Sequence, residues 1–411
     1  MKKKILLSIV ITAVACVGIF SYYNKVSIAK EREDSFYKEL DVFAEALAVI
    51  EKKYVEDKPP HDLIYGALEG LLSSLDSYSE FLNPEEYKEL LVDTEGKFGG
   101  LGIEITIRDT LLTIVSPIED TPAWTAGLKP GDIIVKIDGK VTKGITITEA
   151  VKKLRGEPGT KVTLTVLKEK DKKIEDVTLV RAIIKIKDIK RAELLEDGIG
   201  YIRIAEFREN TARDLDKALQ ELNKKGLKAV VIDVRNNPGG LLESAIDVTS
   251  RFLETEKTVV STKSRTEKEI VYKSVASKEK YSNIPQVVLI NKGSASASEI
   301  LASALRDNKK AVIMGETSFG KGSVQTIIPL SDGSALRLTT SRYYTPSGTS
   351  IHEKGVTPDI TIVNGAATEE KEDVFEKLEK KPEFDYKKDY LIVRAVDFLK
   401  GMLVFKAENG K

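Results

Sequence analysis

The sequence predicts a multidomain protein of α/β class, α+β when the whole chain is counted, and three changes of pattern carry that prediction. From Ile183 onward, short apolar runs alternate with amphipathic segments, as they do around a sheet of largely buried, near-parallel strands. Between about Lys97 and Ile183, β runs punctuated by glycine and two short helical pieces indicate a small, partly open β-barrel. Residues 31–95 show helical spacing. A chain of 411 residues has room for two or three such cores.

The elements follow in order. Lys2, Lys3 and Lys4 precede an uncharged run from Ile5 to Asn24, the pattern of a secretion signal. Left uncleaved, that run is long enough to cross a hydrocarbon layer of about 30 Å. Residues 1–24 are therefore read as a signal peptide or membrane anchor, with the positive end in the cytoplasm and the body exported. Ala13-Val14-Ala15-Cys16 matches a lipoprotein site only loosely, so an anchor or ordinary signal is favoured over lipidation at Cys16. Cys16 is the sequence's one cysteine, which excludes an intrachain disulfide and a cysteine-based zinc site.

Residues 25–95 form the helical region. Phe36, Leu40, Phe43, Leu47 and Ile50 recur at alternating steps of four and three. A second helical run covers Leu63–Leu75, and Asn83-Pro84-Glu85-Glu86 spells a helix start. Their apolar stripes are expected to pack on one another or on a second subunit.

The barrel-like part contains GGLGIEITI (99–107), TLLTIVSPI (110–118), DIIVKIDG (132–139) and KVTLTVLK (161–168), with helical pieces near Pro122–Ala126 and at Ile147–Leu154. The α/β part then runs IGYIRI (199–204), helix 211–224, AVVIDV (229–234), helix 241–252, QVVLIN (286–291), helix 296–307 and AVIMG (311–315). Ala366–Lys381 reads as a charged linker and Lys388–Met402 as a last helix, together the segment 366–411. There is no tandem repeat.

Composition narrows the chemistry. Lysine plus arginine and aspartate plus glutamate number 64 each, so the basic excess of a nucleic-acid binder is absent. Histidine occurs twice, as His61 among the N-terminal helices and His352 in a polar loop.

GSASASEI (293–300) takes a buried strand through a small-residue turn into a helix. A serine on such a turn meets the free N–H groups of the helix start, which favour a developing oxyanion. Ser294, Ser296 and Ser298 compete for the role, and all three also suit capping or turn positions. A histidine base is available only through His352. A lysine can replace it where burial disfavours the ammonium. FGKGSVQTIIPL (319–330) offers Lys321 between two glycines, with Gln325 four residues on and able to hold the amine by hydrogen bonding.

Gly315 to Lys321 also fits the start of a phosphate-binding loop. Gly322 then stands where Ser or Thr would meet magnesium, and a strand follows instead of a helix, so that reading fails. RNNPGG (235–240) opens another helix after a strand, where Gly239 and Gly240 can bring backbone N–H groups close to a substrate carbonyl. Both turns would meet at the carboxyl edge of the sheet, where open α/β folds bind ligands.

At these residues the chain resembles the C-terminal processing (tail-specific) proteases. GALEGLLSSLDSYSEFL, FGGLGIEI, AGLKPGDIIVKIDG, DVRNNPGG, NKGSASASEI, FGKGSVQTIIPLSDGSALRLTT and YYTPSGTSIHEKGVTPDI stand in that family's order from about Glu31 to Ile362. The resemblance implies a crotonase-like protease core over 184–365, a PDZ domain over 96–183 and N-terminal helices that make a homodimer. It implies Ser296 as nucleophile, Lys321 as general base and Gln325 as its assistant, with no metal or cofactor. The oxyanion would take the N–H of Ala297 and one from the PGG turn, at Gly239 with Gly240 close behind.

In the PDZ domain, the turn Gly100-Leu101-Gly102-Ile103 would offer N–H groups to a terminal carboxylate, and a substrate tail would add a strand beside Ile103–Ile105. A pocket lined by Leu101, Ile103 and Ile105 suits apolar tails. The function implied is a serine endopeptidase that cuts exported or membrane proteins near their C-termini in the bacterial envelope, gated by its PDZ domain and served by an adaptor or activator. The competing reading, a non-catalytic PDZ adaptor with a degenerate core, predicts a missing dyad residue, and none is missing. Two departures, Trp124-Thr125 and Ser318, are not expected to touch the catalytic set.

Overall fold

A computed structural model describes residues 36–170, 172–277, 280–362 and 384–409. The leader 1–24 and the linker Ala366–Lys381 lie outside them. The chain divides after Phe81 into two compact units. In the first, helix α1 spans 36–53 and α2 Pro60–Ser73, followed by β1 (Glu80–Leu82). Proline at the start of α2 has no N–H to leave unpaired there. Tyr65 packs edge-on against Phe81 at 4.7 Å between ring centres.

The second unit opens with α3 (Pro84–Glu95), whose start is the one the sequence spells. The Asn83 side chain accepts from the amides of Glu85 and Glu86, Glu86 bonds back to the Asn83 amide, and Gly96 ends the helix at φ 67°. The stretch written as one strand over 99–107 is two, β2 (Lys97–Gly100) and β3 (Ile103–Arg108), because Gly102 turns the chain at φ 75°. β4 (Leu111–Pro117), α4 (Pro122–Thr125), β5 (Ile133–Ile137), β6 (Lys140–Val141), α5 (Ile147–Leu154), β7 (Lys161–Leu167) and β8 (Ile174–Val180) complete the module. Its antiparallel sheet is ordered β3-β4-β5-β7-β8, around a core that includes Leu112, Ile114, Ile134, Leu164 and Val166. β3 is therefore an edge strand. β9 (Ala182–Lys185) returns to pair with β2, so the chain enters and leaves the module side by side.

The remaining elements are β10 (Ile189–Leu194), β11 (Ile199–Ile204), α6 (Thr211–Lys224), β12 (Ala229–Asp233), α7 (Leu242–Ser250), β13 (Thr258–Ser264), β14 (Ile270–Lys273), β15 (Gln286–Ile290), α8 (Ala297–Asp307), β16 (Ala311–Gly315), β17 (Ser323–Pro329), β18 (Ala335–Tyr344) and β19 (Ile360–Thr361). The main sheet runs β10-β11-β12-β15-β16-β19, parallel except for β10. Both faces are covered, which is why β12 and β15 read as unbroken apolar runs. Ile202, Ile232, Val288 and Ile313 face the cluster that includes residues of α6, α7 and α8. Tyr201, Val231, Val287, Leu289 and Met314 face a terminal helix, Tyr390–Asn409, through Leu391, Ile392, Ala395, Val396 and Leu399. That helix starts two residues later than its apolar pattern suggests, where Asp389 caps it by accepting from the amides of Leu391 and Ile392.

Arg235 joins the end of β12 to this cap, bonding the fully buried Asp233 and, at 2.8 Å, Asp389. An antiparallel ribbon ordered β14-β13-β18-β17 flanks the sheet and was not foreseen as such. No described helix is long and apolar enough to cross a membrane.

Candidate active site

The turn between β15 and α8 raises Ser296 onto a strained backbone, φ 52° and ψ −112°. Such a conformation costs a non-glycine residue about 1–3 kcal/mol and persists only where its surroundings enforce it. Enforcement is visible on both sides. Ser294 donates to the Val234 carbonyl at 2.8 Å and accepts from the Asn291 amide, and Ser298 donates to the Asn237 carbonyl at 3.0 Å. Both hydroxyls are fully buried and used in holding the turn. Ser296, the third candidate, is 7 % exposed, and its hydroxyl faces the Tyr343 phenol. Burial pushes that phenol up to about 12, opposed by its hydrogen bond with Ser296, so Tyr343 is neutral at ordinary pH.

The RNNPGG turn packs directly on the serine. A Cβ on Gly239 would stand 2.8 Å from the Ser296 Cβ and 3.0 Å from the Ala297 nitrogen, and φ is 109° there. Only glycine lets the two backbones approach so closely. Asn291 fastens the turns together, accepting from the Asn236 amide at 2.8 Å and donating to its side chain at 2.9 Å.

The donors differ from expectation in one respect. The Gly239 N–H is directed at the Asn237 side-chain oxygen, 2.9 Å away. Asn237 is fully buried and anchored in turn on the Ile204 carbonyl. Among the described residues the amides of Ala297 and Gly240 donate to no protein group. The turn thus has one open N–H at Gly240, while that of Gly239 is taken by Asn237.

Glu299 was not singled out from the sequence, although Ser296-x-x-Glu299 is the spacing of a capping box. It is fully buried, and its carboxylate accepts four bonds. One oxygen takes the amide of Ser296 at 2.8 Å and that of Lys321 at 3.0 Å. The other takes the Gly320 amide at 2.7 Å and the Ser318 hydroxyl at 2.5 Å. A single carboxylate therefore holds the serine turn and the FGKG turn in fixed relation. Burial pushes its pKa above the ordinary value, against the pull of these bonds. Ser318 also accepts from the Val356 amide at 2.7 Å, so the expectation that it stays clear of the catalytic set is corrected: it reaches both turns through Glu299.

Lys321 is part-buried at the centre of its turn. Gln325 lies on β17, with its amide nitrogen donating to Ser323 Oγ at 2.9 Å and Thr339 Oγ1 at 3.4 Å. His352 packs on the same turn, its own nitrogen 2.5 Å from where a Cβ on Gly322 would lie. Its Nδ1 is buried with no hydrogen-bond partner, and its Nε2 lies 3.9 Å from the carboxylate of the exposed Glu353, its chain neighbour. Among the described residues no cluster of His, Cys, Asp and Glu could hold a metal ion.

The barrel-like module brings Gly100, Leu101, Gly102, Ile103 and Ile105 to one groove of about 100 Å³. Sequence reading missed its opposite wall, Val151, Leu154 and Arg155, the last with its guanidinium 4.6 Å over the Phe98 ring. The amphipathic spacing of α5 held that signal. The groove lies against the open edge of β3, where an extended peptide can pair.

Comparison with known proteins gives a consistent picture. Residues 198–362 match peptidase family S41 and residues 113–168 match the PDZ domain. The chain is 46% identical over 340 residues to the carboxy-terminal-processing protease of Bartonella bacilliformis, covering 82% of this chain and 78% of that one. It is 35% identical over 360 residues to the carboxy-terminal processing protease CtpA of Bacillus subtilis, covering 87% and 76%. A solved S41-family structure from Bacteroides fragilis shares the fold at TM-score 0.52 and 18% identity, over 87% of this chain and 97% of the other.

Proposed function

Because this chain belongs to peptidase family S41 and is a carboxy-terminal processing serine protease with a PDZ domain, we propose that Ser296 is its nucleophile and Lys321 its general base. The observation that carries this dyad is the shared Glu299 carboxylate, which binds the backbone amides of both residues. Ser294 and Ser298 donate their hydroxyls to backbone carbonyls of the neighbouring turn, whereas the Ser296 hydroxyl faces the Tyr343 phenol.

In the proposed reaction the Ser296 oxygen attacks the scissile carbonyl carbon while the unprotonated Lys321 amine takes the hydroxyl proton. The tetrahedral oxyanion lies against the Ala297 N–H and a donor of the 239–240 turn. Lys321 then returns the proton to the departing amine nitrogen, leaving an acyl-serine. Water attacks that ester, giving its proton to Lys321, and the acid product leaves as the proton returns to Ser296. Gln325, on β17 beside the FGKG turn, assists by holding the Lys321 amine through a hydrogen bond.

Substrates in this reading are exported or membrane proteins with apolar C-terminal tails. The PDZ groove captures the tail, and its occupancy gates cleavage. Dimerisation is proposed through α1, on which Phe36, Leu40, Phe43 and Ile50 are all exposed. Export, with residues 5–24 as leader or anchor, rests on the sequence pattern alone, as does service by an adaptor or activator.

The test uses an internally quenched peptide with a free apolar C-terminus. Ser296→Ala should abolish cleavage while tail binding is retained, and Lys321→Ala should slow it by about 10²–10⁴-fold. Turnover by Ser296→Ala at the native rate would overturn the assignment. His352→Ala should stay active, since the imidazole has no part in the dyad.

A further inference from the structure

Residues 205–209 leave β11 and run between the two tethers of the PDZ module and the PGG turn. On the tether side, the Ala205 amide donates to the Asp188 carbonyl at 2.9 Å, three residues beyond β9. On the other side, the Phe207 amide donates to the Gly239 carbonyl at 2.8 Å, and the Leu241 amide donates to the Phe207 carbonyl at 2.7 Å. Between them stands Arg208, whose side chain is 12 % exposed. Its Nε donates to the Asp93 carbonyl at 2.9 Å, at the end of α3 where the first tether begins. One terminal nitrogen donates to the Asp188 carboxylate at 2.5 Å, at the second tether, and the other pairs with Glu206. Thr211 bonds the remaining Asp188 oxygen at 2.5 Å and accepts from the Arg208 amide at 2.8 Å. At Gly96 a Cβ would lie 2.8 Å from Arg208 Cδ, so tether and side chain are in close contact.

We infer that Arg208 is a positioning residue that carries the placement of both PDZ tethers to the oxyanion turn through the backbone of Phe207. The inference rests on the tail-gated protease reading above. One planar guanidinium reaches a carbonyl and two carboxylates in different directions, which a lysine ammonium on a flexible stem does not reproduce. Its neighbour Phe207 holds the carbonyl of the Gly239–Gly240 peptide, whose own N–H, that of Gly240, is the open donor of the turn. Glycine at φ 109° and the next at φ 135° allow that peptide to reorient, so a small tether shift can switch the donor.

The experiment compares one quenched peptide with a free C-terminal carboxylate against its C-terminal amide, on the full chain. The wild type should cleave the acid with kcat about tenfold above the amide. Arg208→Ala should bring that ratio to within about twofold of one in a variant that still unfolds cooperatively at a lowered melting temperature, with the tail's affinity, read by anisotropy in the Ser296→Ala background, unchanged. Arg208→Lys should recover less than half of the ratio. Should Arg208→Ala fail to fold, Glu206→Gln, altering a partner that is one-third exposed, should lower the ratio partway. An unchanged ratio in a folded variant of either kind overturns the inference. A wild-type ratio of one overturns tail gating itself, and continued cleavage by Ser296→Ala overturns the dyad.

Discussion

Glu299 places every acceptor position of its carboxylate against the segments that carry the proposed nucleophile and base. Glu299→Gln keeps the shape but turns an amide nitrogen toward backbone donors. We expect kcat to fall on the order of 10²-fold from misplacement of the two turns, with stability lowered by about 1–3 kcal/mol for each donor left unpaired. The pH profile separates this role from a merely structural one. Burial raises the Glu299 pKa above 4.5. The carboxyl's own contribution to folding stability is therefore fully present below its unfolded pKa and lost as pH rises through the folded one. Activity requires the opposite, ionised form. The wild-type kcat should thus fall on the acid side through Glu299 from above pH 4.5, in addition to the loss that protonating the Lys321 base causes, and the glutamine variant should keep only the latter. Ser298→Ala, which loses one buried bond, should keep its activity at a cost of about 1 kcal/mol. The serines, lysine and glycines of the site were legible because each stands in a local pattern. Ser318 was not, since its bond to Glu299 crosses nineteen positions without any periodic signal.

The elements most visible in the sequence are those whose burial is simple. AVIMG and IGYIRI are recovered as β16 and β11 without a shift of register, because every flanking turn is marked by glycine, charge or both. β8 and the β13, β14 and β18 strands were missed. β18 (ALRLTTSRYY) is mostly half-buried, and its pairing with β13 joins residues far apart in sequence, so neither period nor turn chemistry announces it. The same holds for the groove: its β3 wall is a glycine motif, while its α5 wall is only an amphipathic helix. A carboxylate introduced on that wall should repel a substrate's terminal carboxylate. Val151→Asp is predicted to weaken tail binding about tenfold, a loss of about 1.4 kcal/mol, with the melting temperature unchanged. Anisotropy of a labelled tail peptide measures it.

At the scale of the whole molecule, the sheet is stable only when both faces are covered. Leu391, Ile392, Ala395, Val396 and Leu399 of the terminal helix supply the second cover. Each buried Leu or Ile contributes roughly 1.5–3 kcal/mol, against a total domain stability of about 5–15 kcal/mol. Leu399→Ala should therefore cost about 2–5 kcal/mol by denaturant titration. Ending the chain before Tyr390 should leave the Tyr201, Val231 and Leu289 face bare and the protein insoluble. That the α/β part would have two covered faces was readable from its unbroken apolar strands. The seating of the PDZ module was not, because Arg208 reaches Asp93 across 115 positions and no local pattern encodes such a reach.

The side chain of Asn237, seated on the Gly239 amide, has a practical corollary. Electrophilic reagents used to inventory serine hydrolases in cell extracts react through the same charge-stabilising cradle as a natural substrate. A protein that keeps one strand of that cradle turned inward should be marked slowly at rest and quickly once a tail peptide is added. Surveys of that kind would undercount it, and inhibitor screens run without a tail peptide would select against compounds that bind its working form.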